Sequence, residues 1–158
     1  MRHSKIHIFL LTFLIWTGLS SSCEKQQQHP VPSAYANFSI NILTDPEFIR
    51  LNVPGNSMEI LNYMVGAFTL GYDNNGVIVY NAGDGEFHAF DRTCPYDMPL
   101  SIAVETDGTS LYVTCPECGT EYVLPSMGNP TLDGPGIWPL REYKAFFNEN
   151  TGILNVYN

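Results

Sequence analysis

The chain has 158 residues, with 7 Lys and Arg against 16 Asp and Glu, a formal charge of −9. That length holds one domain with room for a leader, and 44% hydrophobic residues are enough for a packed core rather than a disordered chain. The acidic balance without clustered Lys or Arg excludes nucleic acid as a partner, Gly and Pro throughout disfavour a helical bundle, and four cysteines are too few for a disulfide scaffold, so each is read for its own chemistry.

Met1 to Ser22 reads as a signal segment (residues 1–22). Arg2, His3 and Lys5 give a positive start, and Ile6 to Leu19 is an apolar run the length of a signal core. It falls short of the roughly 20 apolar residues of a spanning helix. Ser20-Ser21-Ser22 then leads into Cys23. This resembles a bacterial lipoprotein signal, whose cysteine is acylated and becomes the new N-terminus. That pattern has Leu three residues before the cysteine and Gly or Ala just before it; here Leu19 stands four before, and Ser22 fills the last place. An ordinary secretory signal cleaved nearby is the alternative. The resemblance implies lipid attachment at Cys23, export, and a membrane held through the anchor on a periplasmic or cell-surface face. Removing the leader takes Arg2 and Lys5 with it, which leaves 5 basic and 16 acidic residues and a charge of −11. Residues 23–36 then read as acylated cysteine and flexible tether, polar and Pro-containing over Glu24 to Ser33.

From residue 37 to 158 the pattern is β. Asn37 to Ile42 and Phe48 to Val53 alternate polar and apolar residues, the mark of half-buried strands. Ser57 to Thr69 is the one helix candidate, with Ser57 as N-cap, weakened by Val65 and Gly66. Ile78 to Phe90 reads as a hairpin turning at Gly83-Asp84-Gly85. Leu111 to Thr114 and Glu121 to Leu124 flank a cysteine-bearing loop. Lys144 to Phe147 and Ile153 to Tyr157 close the chain as a hairpin across Asn148 to Gly152. These signals predict an all-β fold, a small antiparallel barrel or sandwich.

The chemistry lies in Cys94-Pro95-Tyr96-Asp97 and Cys115-Pro116-Glu117-Cys118-Gly119. Each loop opens after a strand with Cys-Pro, whose fixed proline φ sets the turn that aims a thiolate at one point. Phe87 to Pro95 resembles the first ligand loop and lead-in strand of the Rieske iron–sulfur domain. Val113 to Tyr122 resembles the second loop, with an aromatic three residues after Gly119, and Asp133 to Tyr143 resembles the family's Gly-Pro loop. The resemblance covers roughly residues 48–157. It implies a Rieske-like barrel with a two-loop cluster-binding subdomain, a [2Fe–2S] cluster, electron transfer and a redox protein partner.

The ligand set departs from that family. Rieske loops supply two Cys to one iron and two His to the other. Cys94 and Cys115 match the cysteines, but Tyr96 stands in the place of one histidine and Cys118 in that of the other. His88, in the lead-in strand, reads as a surface residue, and His29 lies in the tether. Three readings stay open. In one the scaffold holds no metal and serves structure or interaction, with a disulfide from Cys94 to Cys115 or Cys118. In another, Cys94, Cys115 and Cys118 hold one Zn or Fe, with Asp97 completing the tetrahedron. In the third, the three thiolates with Tyr96 or Asp97 hold an altered [2Fe–2S] cluster. No Ser/His/Asp order, phosphate loop or paired carboxylates point to a hydrolase or transferase. A non-enzymatic role is expected ahead of the alternative, a component of an oxidoreductase, which the Rieske resemblance implies.

Overall fold

The computed structural model describes residues 28–61, 69–106 and 111–158. Ten strands run through them: β1 (Phe38–Asn41), β2 (Ser57–Ile60), β3 (Val77–Gly83), β4 (Glu86–Asp91), β5 (Glu105–Thr106), β6 (Tyr112–Thr114), β7 (Glu121–Val123), β8 (Asn129–Pro130), β9 (Glu142–Asn148) and β10 (Ile153–Tyr157). They form a six-stranded sheet, β1-β10-β9-β4-β3-β2, and a four-stranded sheet, β5-β6-β7-β8. Every pairing in both is antiparallel, so the chain is all-β, as its pattern predicts.

The hairpin β3–β4 is the wall between two cores. Val77 to Tyr80 is a continuous apolar run, the composition of a strand covered on both faces. Because successive side chains point to opposite faces, Val77 and Val79 join one core with Phe87, Ala89, Leu154 and Val156. Ile78 and Tyr80 join the other with Phe90, Val113, Tyr122, Cys94 and Cys115. The second core lies under the four-stranded sheet and carries the cysteine loops.

Three expectations are corrected here. Phe48 to Val53 is not a strand: Ile49–Asn52 forms a 3₁₀ turn. Asp45-Pro46 starts it, with the Asp45 carboxylate accepting from the Glu47 N–H at 3.0 Å. The core takes the i, i+3 pair Phe48 and Leu51 rather than alternate residues, so Ile49 and Val53 stay exposed. Ser57 caps no helix. Ser57–Ile60 pairs with β3, Ser57 opposite Tyr80 and Ile60 opposite Val77, because the apolar β3 needs a partner on that side. The remainder of the helix candidate, residues 62–68, lies outside the described residues.

The third correction is the tether, expected to run to residue 36. Val31 and Ala36 are fully buried, so the packed chain begins earlier. The His29 Nε2–H donates to the Pro139 carbonyl at 3.0 Å, and the Val31 N–H donates to His29 Nδ1 at 3.1 Å. Arg141 Nη1 donates to the Val31 carbonyl at 2.9 Å. Apolar Val31 and Ala36 override a composition that is polar on average.

Candidate metal centre

The first loop leaves β4 at Asp91, a fully buried carboxylate. A buried carboxylate needs donors on both oxygens. Asp91 Oδ2 accepts from the Tyr143 hydroxyl at 2.6 Å and the Tyr72 N–H at 2.7 Å, and Oδ1 accepts from the Thr93 N–H at 2.8 Å. Next to it, Arg92 meets Glu59 at 3.0 Å, and Glu59 also accepts from the Thr106 N–H at 3.1 Å. These contacts tie the loop's stem to both sheets. Cys94 is held by its N–H to the Ile102 carbonyl at 2.8 Å, and Pro95 then turns the chain so that Asp97 comes back beside it.

The second loop is a tight turn between β6 and β7. The Gly119 N–H donates to the Cys115 carbonyl and the Cys115 N–H to the Thr120 carbonyl, both at 2.9 Å. Gly119 adopts φ of 72°, a conformation that costs other residues energy. The turn sets Cys115 and Cys118 on the same point.

A third loop closes over these two. A side chain at Gly134 would come within 2.6 Å of Thr120 Cα, and one at Gly136 within 2.6 Å of Thr120 Cγ2 and 3.1 Å of the Tyr122 hydroxyl. Only glycine allows this approach, and with it the Gly136 N–H donates to Thr120 Oγ1 at 3.0 Å.

The result is a group of four donor atoms, from Cys94, Asp97, Cys115 and Cys118, all within 4.8 Å of one another. The Cys94 and Cys118 sulfurs are 3.8 Å apart. Asp97 Oδ2 lies 3.8 Å from Cys94 Sγ and 3.1 Å from Cys115 Sγ. The three thiols are unpaired, and Cys94, Asp97 and Cys115 are buried. Burial pushes the Cys115 thiol far above its usual range, and the neighbouring Asp97 adds to the rise. Cys118 shifts the same way, burial first and Asp97 second.

Tyr122 forms the floor. It is fully buried, and its hydroxyl lies 3.2 Å from Cys94 Sγ. Burial and the adjacent Cys94 raise its ionisation well above the ordinary tyrosine range, so the hydroxyl stays a donor. Thr120 lies beside Cys118 and accepts from its thiol at Oγ1, 3.2 Å away. Sequence reasoning singled out Tyr122 only as the aromatic after Gly119. Thr120 carried no signal, since its part depends on the glycines of the third loop.

Tyr96 is 53% exposed, on the outer side of the loop that turns Asp97 inward. His88, expected at the surface, is 8% exposed, because β4 has both faces covered. Its ring stacks against Tyr80 and Phe90, and its nitrogens lie 3.5 Å from Glu86 and Glu142, apart from the cysteine group.

Four donors with three sulfurs and one oxygen suit one thiophilic ion. A zinc ion with Zn–S of about 2.3 Å and Zn–O of about 2.1 Å spaces its ligands about 3.6–3.8 Å apart at tetrahedral corners. Two of the contacts, at 3.8 Å, match the upper end of that spacing, the Asp97–Cys115 contact at 3.1 Å is shorter, and all four donors lie within 4.8 Å. A Rieske [2Fe–2S] cluster fits less well. It needs two imidazoles, which neither loop carries, and it splits its ligands two and two across a pair of irons. Ligands at opposite ends of such a pair stand further apart than one tetrahedron's edge.

No family model matches the chain, and no curated protein matches it. Among solved structures it is similar to the ferredoxin of carbazole 1,9a-dioxygenase from Nocardioides aromaticivorans IC177, at 19% identity and a TM-score of 0.42, over 80% of this chain and 97% of that one. It is also similar to a chain of the complex of reduced oxygenase and oxidized ferredoxin in carbazole 1,9a-dioxygenase, at 22% identity and a TM-score of 0.41, over 66% of this chain and 90% of that one.

Proposed function

We propose that this chain is an exported, lipid-anchored β domain whose two cysteine loops hold one zinc or iron ion on Cys94, Asp97, Cys115 and Cys118. The observation that carries the reading is the convergence of those four donors to within 4.8 Å of one another. The buried acidic group supports it too. A cation offsets the cost of ionising thiols in a site that holds them protonated without metal. Soft thiolates select zinc, iron or copper(I) over magnesium and calcium.

With all four positions supplied by protein, the ion has no open site for substrate, which is the arrangement of structural and electron-carrying centres. Iron in this sulfur-rich setting changes oxidation state by one electron; zinc does not. Electron transfer to a redox protein, the role that the Rieske resemblance implies, therefore requires iron. The chain's own contributions are the same for either metal. Cys115 and Cys118 present a two-thiolate turn, and Cys94 and Asp97 close it from the first loop. The Tyr122 hydroxyl faces Cys94, and the Thr120 hydroxyl, which accepts from the Cys118 thiol, could turn to donate once that thiol is ionised.

The test is metal, sulfide and thiol analysis of the full chain, expressed with its own leader and extracted anaerobically in detergent. One ion per chain without acid-labile sulfide is expected, and Cys115→Ser should reduce it to background. Two irons with two sulfides would replace this reading with the altered cluster. A metal-free protein with a disulfide at Cys94 would replace it with the scaffold reading. A single zinc in place of iron retains the site and removes electron transfer.

A further inference from the structure

The third loop carries two of the most exposed apolar side chains of the described residues, Leu132 at 102% and Ile137 at 82% exposure. Neither has a core to fill. Tyr96 and Leu100, at 53% and 65%, are exposed on the first loop, whose Cys94 meets Tyr122 where the third loop packs. Single exposed apolar residues are ordinary, but several at one end of a domain mark a surface that meets something apolar.

The N-terminal segment decides what that is. It enters the fold on this same third loop: His29 bonds to the Pro139 carbonyl at 3.0 Å and packs edge-on to Trp138 with ring centroids 5.8 Å apart. Six residue steps separate His29 from Cys23. At most about 3.6 Å per step, they reach about 20 Å at full extension. A lipid on Cys23 therefore keeps the third loop, and the metal-centre end of the domain, within about 20 Å of the bilayer.

We infer that this end faces the membrane and that Leu132 and Ile137 insert into the lipid interface. The inference rests on the lipid-anchor reading of Cys23. Charge does not drive the contact, since the chain without its leader is at −11; apolar burial does, and the acyl chains supply the local concentration.

Trp138 makes the test direct, because Trp16 leaves with the leader and no other tryptophan remains. The acylated full chain is reconstituted in zwitterionic phosphatidylcholine vesicles, with or without brominated acyl chains, and Trp138 emission is compared. The result expected is loss of most of the emission in brominated vesicles. Leu132→Asp with Ile137→Asp should restore it while the protein still floats with the vesicles and keeps its metal content and circular dichroism. Full emission from an acylated, floating protein overturns the membrane-facing end and leaves the anchor standing. Equal quenching in the double variant overturns the role of the two side chains. A Cys23 without acyl chains by mass spectrometry removes the anchor and the inference together. A dimer that the double variant splits, with Trp138 unquenched, assigns the patch to a second copy and overturns lipid contact.

Discussion

The two cores of this domain are built by the same alternation on the same hairpin, yet they are closed in different ways. On one side of β3–β4, strands of four to seven residues and the turns beside them bury mainly hydrocarbon, among it Ile40, Ile42, Leu51, Leu154 and Val156, with the Tyr143 hydroxyl bonded to Asp91 at the edge. On the other, strands of two or three residues enclose Val104, Val113, Leu124 and Leu140 together with Cys94, Cys115 and Tyr122. Sheets that short cannot bury enough apolar area to hold themselves together. The small core has thiols and a carboxylate at its centre where the large one has methyl groups. A bound ion would supply there the cohesion that hydrocarbon supplies on the opposite side.

Three experiments break or sharpen that contrast. Metal removal has the largest expected effect. At a metal concentration 1,000-fold above Kd, the bound ion contributes about 4 kcal/mol. A chelator under reducing conditions should speed amide exchange in β6 and β7 and leave β9 and β10 protected; equal acceleration in both sheets would sink the division into two cores. Leu154→Ala attacks the other side. Leu154 is fully buried, so the truncation should cost about 3 kcal/mol in denaturant titrations without changing metal stoichiometry. Loss of metal in that variant would show the cores to be one unit.

The smallest effect expected is in alkali. Tyr143, on β9 in the large core, is held well above the usual tyrosine range by burial first and by Asp91 second. The folded chain thus keeps a proton that the unfolded chain gives up near pH 10. Its contribution is complete below about pH 10 and declines above it, by up to about 1.4 kcal/mol per pH unit. Tyr143→Phe should remove one proton's worth of that slope from unfolding measurements between pH 9 and 11; an unchanged slope would exclude Tyr143 as its source.

Much of the fold was legible because its signals are local. The hairpins β3–β4 and β9–β10 follow from apolar runs broken by Gly83-Asp84-Gly85 and by Asn148 to Gly152. The same holds for the two cysteine loops, where Cys-Pro and Gly119 write the turn into consecutive residues. The misreadings fall where a local pattern meets a distant demand. Alternation at Phe48 to Val53 gave way to a turn because the core had room for Phe48 and Leu51 alone. Ser57 suits a helix cap, but β3 needed a neighbour.

What the sequence determined by itself was the all-β class and the chemistry available: three thiols and an aspartate in two loops, with no imidazole at the positions where the Rieske resemblance expects it. Composition and spacing carry such facts without any knowledge of contacts. The tertiary structure decided the rest. It brought Asp97 to 3.1 Å from Cys115 across 18 residues of chain, set Tyr122 beneath Cys94, buried His88 away from the site, and laid the tether against the third loop. Each of those depends on which surfaces are covered by segments distant in the chain, and burial of that kind has no signature in a run of neighbouring residues.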